Sequence, residues 1–314
     1  MAKGRLASVA VFGLGLTLAT ASLACTQHFL LRTGVKSADP YFEGPTAEGT
    51  AFEKVSAHVY TAKSGWYRDL VVDTDDGLVV VDPMGPRMAQ VLQDGMAKNL
   101  AGKKVKALFY THYHLDHVAG GAPLGATDVY GHEKCPQYWK DLGATDVVPI
   151  NHPLSGDQTL TIGGVEIRAL YLGHSHTDTL YALYFPGERV LFTADLGLVK
   201  TVPPTGVPDS YWPGYIAALE RVSSLDFDTF VPSHFGWGKK QDLLDCIELL
   251  KTERALAKEA VARHHGQIGG DAPLEDYFDE IYPQLEAKYG EWHGFGAMFI
   301  PNMSRDVVGE LLGF

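Results

Sequence analysis

The chain has 314 residues, of which 46% are hydrophobic and 20% charged, a composition typical of a folded protein and not of a disordered or fibrous one. It carries 26 Lys and Arg against 38 Asp and Glu, and the net charge of -12 argues against a nucleic acid partner because it opposes attraction to phosphate backbones. The 3 cysteines show no close spacing, which argues against a disulfide framework and a cysteine-based zinc knuckle.

The N-terminal segment, residues 1–31, has the pattern of an export signal. Lys3 and Arg5 precede a run from Leu6 to Leu31 that contains no charged residue. A positive start followed by an apolar stretch is typical of a secretory signal peptide. We therefore expect an exported protein, periplasmic or attached to the outer face of the cytoplasmic membrane.

Three fates of this segment are open. The small residues of Ser22-Leu23-Ala24 suit cleavage by a signal peptidase, whereas the uncharged run is also long enough to stay as a membrane anchor. Cys25 stands where a bacterial lipoprotein cysteine would stand, although the residues before it match that motif only loosely. Residues 32–50 lack apolar periodicity, and we expect them to form a linker.

Residues 51–240 read as short strands mixed with helices, and residues 241–314 as a mainly helical C-terminal segment. Val-rich runs, alternation and turn residues such as Thr74-Asp75-Asp76-Gly77 indicate strands and hairpins. The predicted strands lie at 70–73, 78–82, 105–110, 129–130, 147–148, 180–185, 190–193 and 229–231, with a further hairpin at Gly163-Gly164. Apolar residues at helical spacing predict helices at 86–100, 133–142, 215–222 and 239–264.

The mixture of hairpins and helices predicts the fold class. Several hairpins argue against a simple alternating parallel sheet, and the helices argue against an all-β sandwich. We expect an α/β (α+β) protein in which two sheets are covered by helices.

Four metal-binding side chains occur within six residues directly after the predicted strand that ends at Tyr110. They form the motif H-x-H-x-D-H as His112, His114, Asp116 and His117. Two histidines that are two residues apart on an extended segment project to one side, where both imidazoles can bind one cation. An imidazole-rich group suits zinc, and a carboxylate beside another imidazole suits a second divalent ion.

This motif resembles the signature of the metallo-β-lactamase superfamily, and the later family motifs follow in the family order. The resemblance implies the αβ/βα four-layer sandwich of that superfamily, with the helical C-terminal segment packed on it. The further ligands that it implies are His176 within Gly-His-Ser-His-Thr-Asp, Asp195 within Phe-Thr-Ala-Asp, and His234 within Pro-Ser-His. His174 is the alternative to His176, which fits the family pattern better because Thr and Asp follow it. The resemblance also implies that Asp82 orients the metal-binding loop by hydrogen bonds.

The resemblance divides the ligands between two metal ions. It implies that His112, His114 and His176 bind one ion, that Asp116, His117 and His234 bind the other, and that Asp195 is shared. We expect two Zn²⁺ ions, with iron or manganese as alternatives at one or both sites. Two such ions lower the pKa of a shared water and make hydroxide available at neutral pH. Asp116 is the predicted catalytic residue, as a proton shuttle to the leaving group.

The predicted function is that of an exported dinuclear zinc hydrolase acting on a small ester, lactone, thioester or amide, including a β-lactam. An Asp at position 195 makes the metal site more similar to glyoxalase II and the lactonases than to the β-lactamases of the superfamily. The expected partner is a small-molecule substrate, with membrane attachment through residues 1–31 as an alternative to cleavage. The sequence leaves the oligomeric state open.

Two other functions remain open on the sequence alone. An iron-containing redox enzyme could use the same fold, because the carboxylates of Asp116 and Asp195 accept harder metals. A non-catalytic periplasmic metal-binding accessory protein would also carry a complete ligand set.

Aromatic residues near the metal motifs add a prediction about the substrate. They could form the wall of an apolar substrate pocket or cover the edge of the core. These residues are Trp66, Tyr67, Tyr211, Trp212, Phe235 and Trp237.

Overall fold

The computed structural model describes residues 48–204, 210–264 and 276–313. The predicted export segment, Cys25 and nearly all of the predicted linker lie outside the described residues. In the described ranges, no helix has both the length and the apolarity needed to cross a membrane.

The first sheet combines an antiparallel half with a parallel half. Its strands are β1 (Thr50–Lys54), β2 (Val59–Ser64), β3 (Tyr67–Arg68), β4 (Leu70–Thr74), β5 (Gly77–Val81), β6 (Val105–Phe109), β7 (Asp128–His132) and β8 (His152–Leu154). The order is β1-β2-β4-β5-β6-β7-β8, with β3 paired to β2. Pairing is antiparallel from β1 to β5 and parallel from β5 to β8.

The β4–β5 hairpin forms where the sequence predicts it. Thr74 Oγ1 donates a hydrogen bond to the carbonyl oxygen of Gly77 at 2.6 Å, and Gly77 has a φ of 128° that side chains rarely allow. Val79, Val80 and Val81 are all fully buried, so both faces of β5 are covered. A strand buried on both faces is a continuous apolar run, which is why the sequence signal here is strong.

Helices cover one face of the first sheet. They are α1 (Gly85–Asn99), α2 (Leu115–Val118), a 3₁₀ turn (Ala122–Leu124) and α3 (Cys135–Leu142). Met88 and Leu92 of α1 pack with Val80, Leu108 and Tyr110 of the sheet in one buried cluster. Burying these side chains removes their apolar surface from water and holds α1 against the sheet.

The second sheet is mainly antiparallel. Its strands are β9 (Gln158–Ile162), β10 (Val165–Tyr171), β11 (Tyr181–Phe185), β12 (Val190–Thr193), β13 (Thr229–Pro232) and β14 (Gly238–Lys239), in the order β14-β13-β12-β11-β10-β9. Only β12 and β13 pair in parallel among these described strands. The rings of Phe109 in β6 and Tyr181 in β11 are in edge contact, with centroids 6.0 Å apart, so the two sheets meet through their inner faces.

Helices α4 (Trp212–Ser223) and α5 (Lys240–Arg263) follow the predicted positions. Gly197 lies close to Leu219 of α4 and Leu243 of α5, which places both helices beside the second sheet. The predicted α/β fold of two sheets with helices outside them is therefore confirmed.

One predicted strand is wrong. Val147 makes only an isolated bridge with Ala119 among the described residues, and the strand that completes the sheet edge is β8. The strand β8 contains Pro153, and both His152 and Pro153 are exposed, so it has neither the Val-rich composition nor the alternation that the prediction used.

The C-terminal residues form a compact unit of their own. Residues 48–203 with 210–248 form one unit, and residues 249–264 with 276–313 belong to the second. Beyond α5, the second unit contains a π-helical turn (Tyr277–Ile281), α6 (Tyr282–Tyr289) and α7 (Phe295–Leu312). Tyr282 packs against Phe295 and Phe299, with ring centroids 5.5 and 4.9 Å away. The helical character predicted for this part is confirmed, and the predicted domain border at residue 240 stays a prediction.

Candidate metal centre

The predicted ligands all follow strands, which brings residues from both sheets together. His112 and His114 follow β6, and Asp116 and His117 lie on α2 directly after them. His176 lies between β10 and β11, Asp195 follows β12 and His234 follows β13. Short turns after strands place side chains at the sheet edge without disturbing the core.

Asp195 lies at the centre of these side chains. Its Oδ2 is 3.1 Å from His117 Nε2, 3.2 Å from His176 Nε2 and 3.4 Å from His112 Nε2. Its Oδ1 is 2.5 Å from Nε2 of His234. One carboxylate therefore faces four imidazoles.

The donor atoms form two groups that share this carboxylate. His112, His114, His176 and Asp195 offer donor atoms that all lie within 4.8 Å of one another, and so do His117, Asp195 and His234. His114 joins the first group through its Nδ1, which is 3.1 Å from His176 Nε2. A third group of described donors consists of Asp82, His112 and His117. The histidines of the first two groups divide between them as the family resemblance implies.

Two residues that the sequence analysis considered as ligands, His174 and Asp116, are not in these groups. His174 stacks on Tyr211, with ring centroids 4.9 Å apart, and the structure brings His176 to the donor groups instead. Asp116 is not in either group of the described donors: its Oδ2 is 3.9 Å from His117 Nε2 and accepts a hydrogen bond from the Tyr67 hydroxyl at 2.9 Å. The role of Asp116 as a ligand stays a prediction.

Asp82 holds the metal-binding loop through three contacts, the role that the family resemblance implies for it. Its Oδ1 accepts a hydrogen bond from the Thr111 amide at 2.8 Å, and its Oδ2 accepts one from the Thr111 hydroxyl at 2.5 Å. The same Oδ2 lies 3.0 Å from His117 Nδ1, so the opposite ring nitrogen, Nε2, points toward Asp195. Metal-binding histidines are commonly oriented in this way by a carboxylate.

The backbone at both carboxylates is left-handed. Asp82 has a φ of 53° and Asp195 a φ of 50°, a conformation that Asp tolerates better than most residues because its side chain bonds locally. At Asp195, Ser233 contributes: its hydroxyl accepts a hydrogen bond from the Asp195 amide at 3.0 Å and donates one to Oδ1 at 3.3 Å. Strained backbone of this kind collects at functional sites.

The hydroxyl of Ser233 therefore helps to hold both the backbone and the carboxylate of Asp195. Sequence reasoning missed this contact because residues 195 and 233 follow different strands and lie 38 positions apart. It also missed Thr111, whose hydroxyl lies 2.9 Å from His112 Nδ1. The position of Thr111, directly before the H-x-H motif, is the one signal that could have indicated it.

Charges within the cluster are strongly coupled. Burial alone would raise the pKa of the Asp195 carboxyl, but the imidazoles of His117, His234 and His176 outweigh burial and hold that pKa well below its ordinary value. Burial, helped by the neighbouring His117, lowers the pKa of His112 well below its ordinary value. For His117 the effect of burial is outweighed by the carboxylates of Asp195 and Asp82, and its pKa lies well above the ordinary value.

The donor set fits a divalent cation. The Nε2 atoms of His112 and His117 are buried and make no hydrogen bond within the described parts of the chain. Their distances to Asp195 Oδ2, 3.4 and 3.1 Å, are close to the ~3.3 Å that separates two ligands of a tetrahedral zinc ion with bonds of about 2.0–2.1 Å. Imidazole with carboxylate suits zinc and accepts iron or manganese.

The loop that carries His176 is held by the beginning of α4. The Tyr211 amide donates a hydrogen bond to the Ser175 carbonyl at 2.7 Å, and His176 Nδ1 lies 3.3 Å from the Ser210 hydroxyl. A Cβ added to Gly214 would lie 2.0 Å from the carbonyl oxygen of His174. Glycine at this position therefore permits the close approach of α4 to the loop.

Two of the aromatic residues singled out in the sequence lie against the cluster. Trp66 stacks on the imidazole of His234, with centroids 4.6 Å apart, and Tyr67 contacts both His234 and His117. Burial, together with the charge of Asp116, raises the pKa of the Tyr67 hydroxyl. Trp212, in contrast, is 3% exposed and stacks on Tyr215, so it belongs to the core.

Comparisons with known proteins show which proteins the chain resembles. The sequence profile of the metallo-beta-lactamase superfamily matches residues 70–234. The chain is 31% identical over 67% of its length to the 2,4-dinitroanisole O-demethylase subunit alpha of Nocardioides sp. (strain JS1661), and the match spans 65% of that protein, just under two thirds. It is 26% identical over 58% of its length to a metallo-beta-lactamase type 2 of Bacillus sp. (strain 170), of which the match spans 72%.

A solved structure also shares the fold. The metallo-beta-lactamase from Pontibacter korlensis superposes with a TM-score of 0.58 at 23% identity, over 65% of this chain and 99% of that one. At this identity the likeness concerns the fold.

Proposed function

The chain belongs to the metallo-beta-lactamase superfamily, a superfamily of metallo-hydrolases, and on that premise we propose that it is a dinuclear zinc hydrolase of a small ester, lactone, thioester or amide, including a β-lactam. The observation that carries the proposal is the Asp195 carboxylate. One of its oxygens faces His112, His117 and His176, and the other faces His234.

The proposed ligands follow the two groups. His112, His114 and His176 would hold one ion and Asp116, His117 and His234 the other, with Asp195 between them. Zinc ions bound there would supply hydroxide at neutral pH and polarise the oxygen of the substrate carbonyl.

The chain's own residues would orient the reactants and move the proton. Asp82 fixes the ring of His117 through Nδ1, and Ser233 fixes the carboxylate of Asp195. The oxygen of a water would attack the carbonyl carbon, the bond from that carbon to the leaving atom would break, and Asp116 would carry the proton lost by the water to the leaving atom. The side chain of Asp116 is 50% exposed, so it can reach both the cluster and a substrate at its edge.

Hydrolysis is favoured over the redox and accessory functions that the sequence left open. The Bacillus relative is named a metallo-beta-lactamase, and the family match extends through all the ligand positions from His112 to His234. Membership of this family does not distinguish among ester, lactone, thioester and amide substrates, because one fold serves many of them.

A second candidate reaction is the hydrolytic cleavage of an activated aryl methyl ether. The Nocardioides relative is named as a subunit of a 2,4-dinitroanisole O-demethylase. In this chain Trp66 and Tyr67 lie beside His234, where their rings could stack on an aromatic substrate. The reaction consumes one water and releases a phenol and methanol.

The proposal includes export, which rests on the positive start and uncharged run of residues 1–31. Expression of the whole chain in a Gram-negative host, followed by cell fractionation, should place the protein in the periplasm or the membrane fraction. N-terminal sequencing of that protein would distinguish cleavage from retention. Recovery of the whole chain in the cytoplasm with an intact N-terminus would refute export.

One experiment tests the function directly. The whole chain is purified, its zinc, iron and manganese are counted per chain, and it is given a chromogenic cephalosporin, a chromogenic lactone, a thioester and 2,4-dinitroanisole. About two zinc ions per chain with turnover of the cephalosporin, the lactone or the thioester would support the proposal and identify the substrate class, whereas turnover of 2,4-dinitroanisole alone would favour the second candidate reaction. Iron with redox activity, or bound metal without turnover of any of the four, would overturn it.

A further inference from the structure

The turn between β2 and β3 packs against the metal centre, although none of the predicted ligands lies in this turn. Trp66 lies on the imidazole of His234, and the Phe235 amide donates a hydrogen bond to the Trp66 carbonyl at 2.9 Å. Tyr67 pairs with His234 in an isolated antiparallel bridge. This turn therefore sits on the half of the centre that contains His234.

Arg68 anchors the turn. Its amide donates to the Ser233 carbonyl at 2.7 Å, and its Nε donates to the Phe235 carbonyl at 2.8 Å. Arg68 thus binds the residues on both sides of His234, Ser233 through its backbone and Phe235 through its side chain. Arg68 is buried, and its Nη1 also donates to Glu53 at 3.0 Å, so the support is rigid.

From this support the Tyr67 hydroxyl reaches Asp116. It donates a hydrogen bond to Asp116 Oδ2 at 2.9 Å, and the same oxygen lies 3.9 Å from His117 Nε2. His117 is fully buried and fixed by Asp82, whereas the Asp116 side chain is half exposed. Packing alone does not hold an exposed carboxylate in one orientation, but a hydrogen bond from a rigid donor does.

We propose that Tyr67 is a positioning residue that orients the Asp116 carboxylate toward His117, and that it thereby sets the affinity of the half-site formed by Asp116, His117 and His234. The inference rests on the proposed function, in which that half-site holds the second ion. Partners that hydrogen-bond a ligating carboxylate commonly change metal affinity about 10- to 100-fold when removed. Within the described ranges, the hydrogen bond and ring contacts of Tyr67 involve Asp116, His117, His234 and Trp66, and none of the histidines of the other half-site.

The test uses Tyr67→Phe in the whole chain, which removes the hydroxyl and keeps the ring that packs on His234. The matched control is Tyr138→Phe, because the Tyr138 hydroxyl also donates to an aspartate, Asp178, at 2.8 Å, away from the second half-site. Metal-free wild type and both variants are titrated with Co²⁺. The binding isotherm and the visible absorption spectrum are recorded at each step, and thermal melting of the metal-free proteins checks the fold.

The wild type and Tyr138→Phe should bind two equivalents of Co²⁺. In Tyr67→Phe the first equivalent should bind with its affinity within about threefold of wild type, while the second binds about 10- to 100-fold more weakly and with a changed spectrum. If Tyr67→Phe gives the same two-step isotherm as wild type, or a tighter second step, the inference about Tyr67 is overturned and the dinuclear proposal is not. A single equivalent in the wild type would overturn the dinuclear proposal and this inference with it.

Discussion

Asp82 Oδ2 lies 3.0 Å from His117 Nδ1, a contact between two fully buried side chains that are 35 residues apart in the sequence. The same carboxylate binds the amide and hydroxyl of Thr111, so it connects the end of β5 to the beginning of the metal-binding loop. The contact leaves His117 one ring nitrogen for a cation.

Replacement of Asp82 by Asn should weaken metal binding. An amide offers one acceptor oxygen where the carboxylate offers two, so it cannot accept from the Thr111 amide and from His117 at the same time. We expect Asp82→Asn to lower zinc affinity about 10- to 100-fold, measured by competition with a chromogenic chelator. Asp128→Asn, which alters a surface carboxylate paired with Lys106 at 2.7 Å, should leave it unchanged. Equal affinities in the two variants would contradict this role of Asp82.

His112 and His174 provide a matched pair of substitutions. His112→Ala should lower the bound metal to at most about one ion per chain, because it removes a donor that faces Asp195. His174→Ala removes an imidazole that stacks on Tyr211 and should keep the full metal content. Elemental analysis of the purified proteins measures both. Metal loss in His174→Ala, or full metal retention in His112→Ala, would contradict the assignment of these ligands.

Gly214→Ala tests the contact between α4 and the loop that carries His176. The new Cβ would approach the His174 carbonyl oxygen to 2.0 Å, so the loop or the helix must move. We expect a loss of about 1–3 kcal/mol in the free energy of unfolding, typical of overpacking, together with weaker metal binding. Gly187→Ala, at a position with no atom within 4 Å of the added Cβ, is the control and should change neither quantity. Wild-type stability in Gly214→Ala would show that the contact is not needed.

The buried carboxyl of Glu253 should make the stability of the helical C-terminal unit depend on pH. Burial, reinforced by the charge of Asp306, raises the pKa of Glu253 to about 8. The folded chain keeps this proton between pH 4.5 and 8, whereas the unfolded chain releases it, so the free energy of unfolding should fall as the pH rises through this range.

Glu253→Gln keeps the side chain neutral at every pH and should flatten this fall. At pH 8.5 the free energy of unfolding of the variant should exceed that of wild type by an amount on the order of a few kcal/mol, and the two values should converge near pH 4.5. Chemical unfolding monitored by circular dichroism between pH 4.5 and 8.5 provides the comparison. Parallel curves for the two proteins would show that Glu253 does not titrate in this way.

The parts of the fold that the sequence predicts are those with a local signal. The β4–β5 hairpin and helix α1 follow from Val-rich runs, turn residues and helical spacing. The edge strand β8 gives no such signal, because exposed His152 and Pro153 lie in it and its pairing with β7 is determined by the rest of the sheet.

The metal centre divides in the same way. The motif and the family order indicate His112, His176, Asp195 and His234 as ligands. The structure places these residues in the donor groups around Asp195. The hydrogen bond from Tyr67 to Asp116 joins residues on different elements, 49 positions apart, and no periodicity or motif encodes such a contact. Side chains that hold the ligands are therefore harder to read from a sequence than the ligands themselves.

The supply of donor atoms by both sheets has a consequence for folding. His112 and His117 follow a strand of the first sheet, whereas His176, Asp195 and His234 follow strands of the second, so each of the two proposed ions would have ligands from both sheets and would link them. The binding site is complete only after the sheets have docked, and free metal at about 1,000 times its dissociation constant would stabilise the docked state by about 4 kcal/mol. Under a chelator, amide hydrogens at the junction between the sheets should therefore exchange with solvent earlier than those inside either sheet.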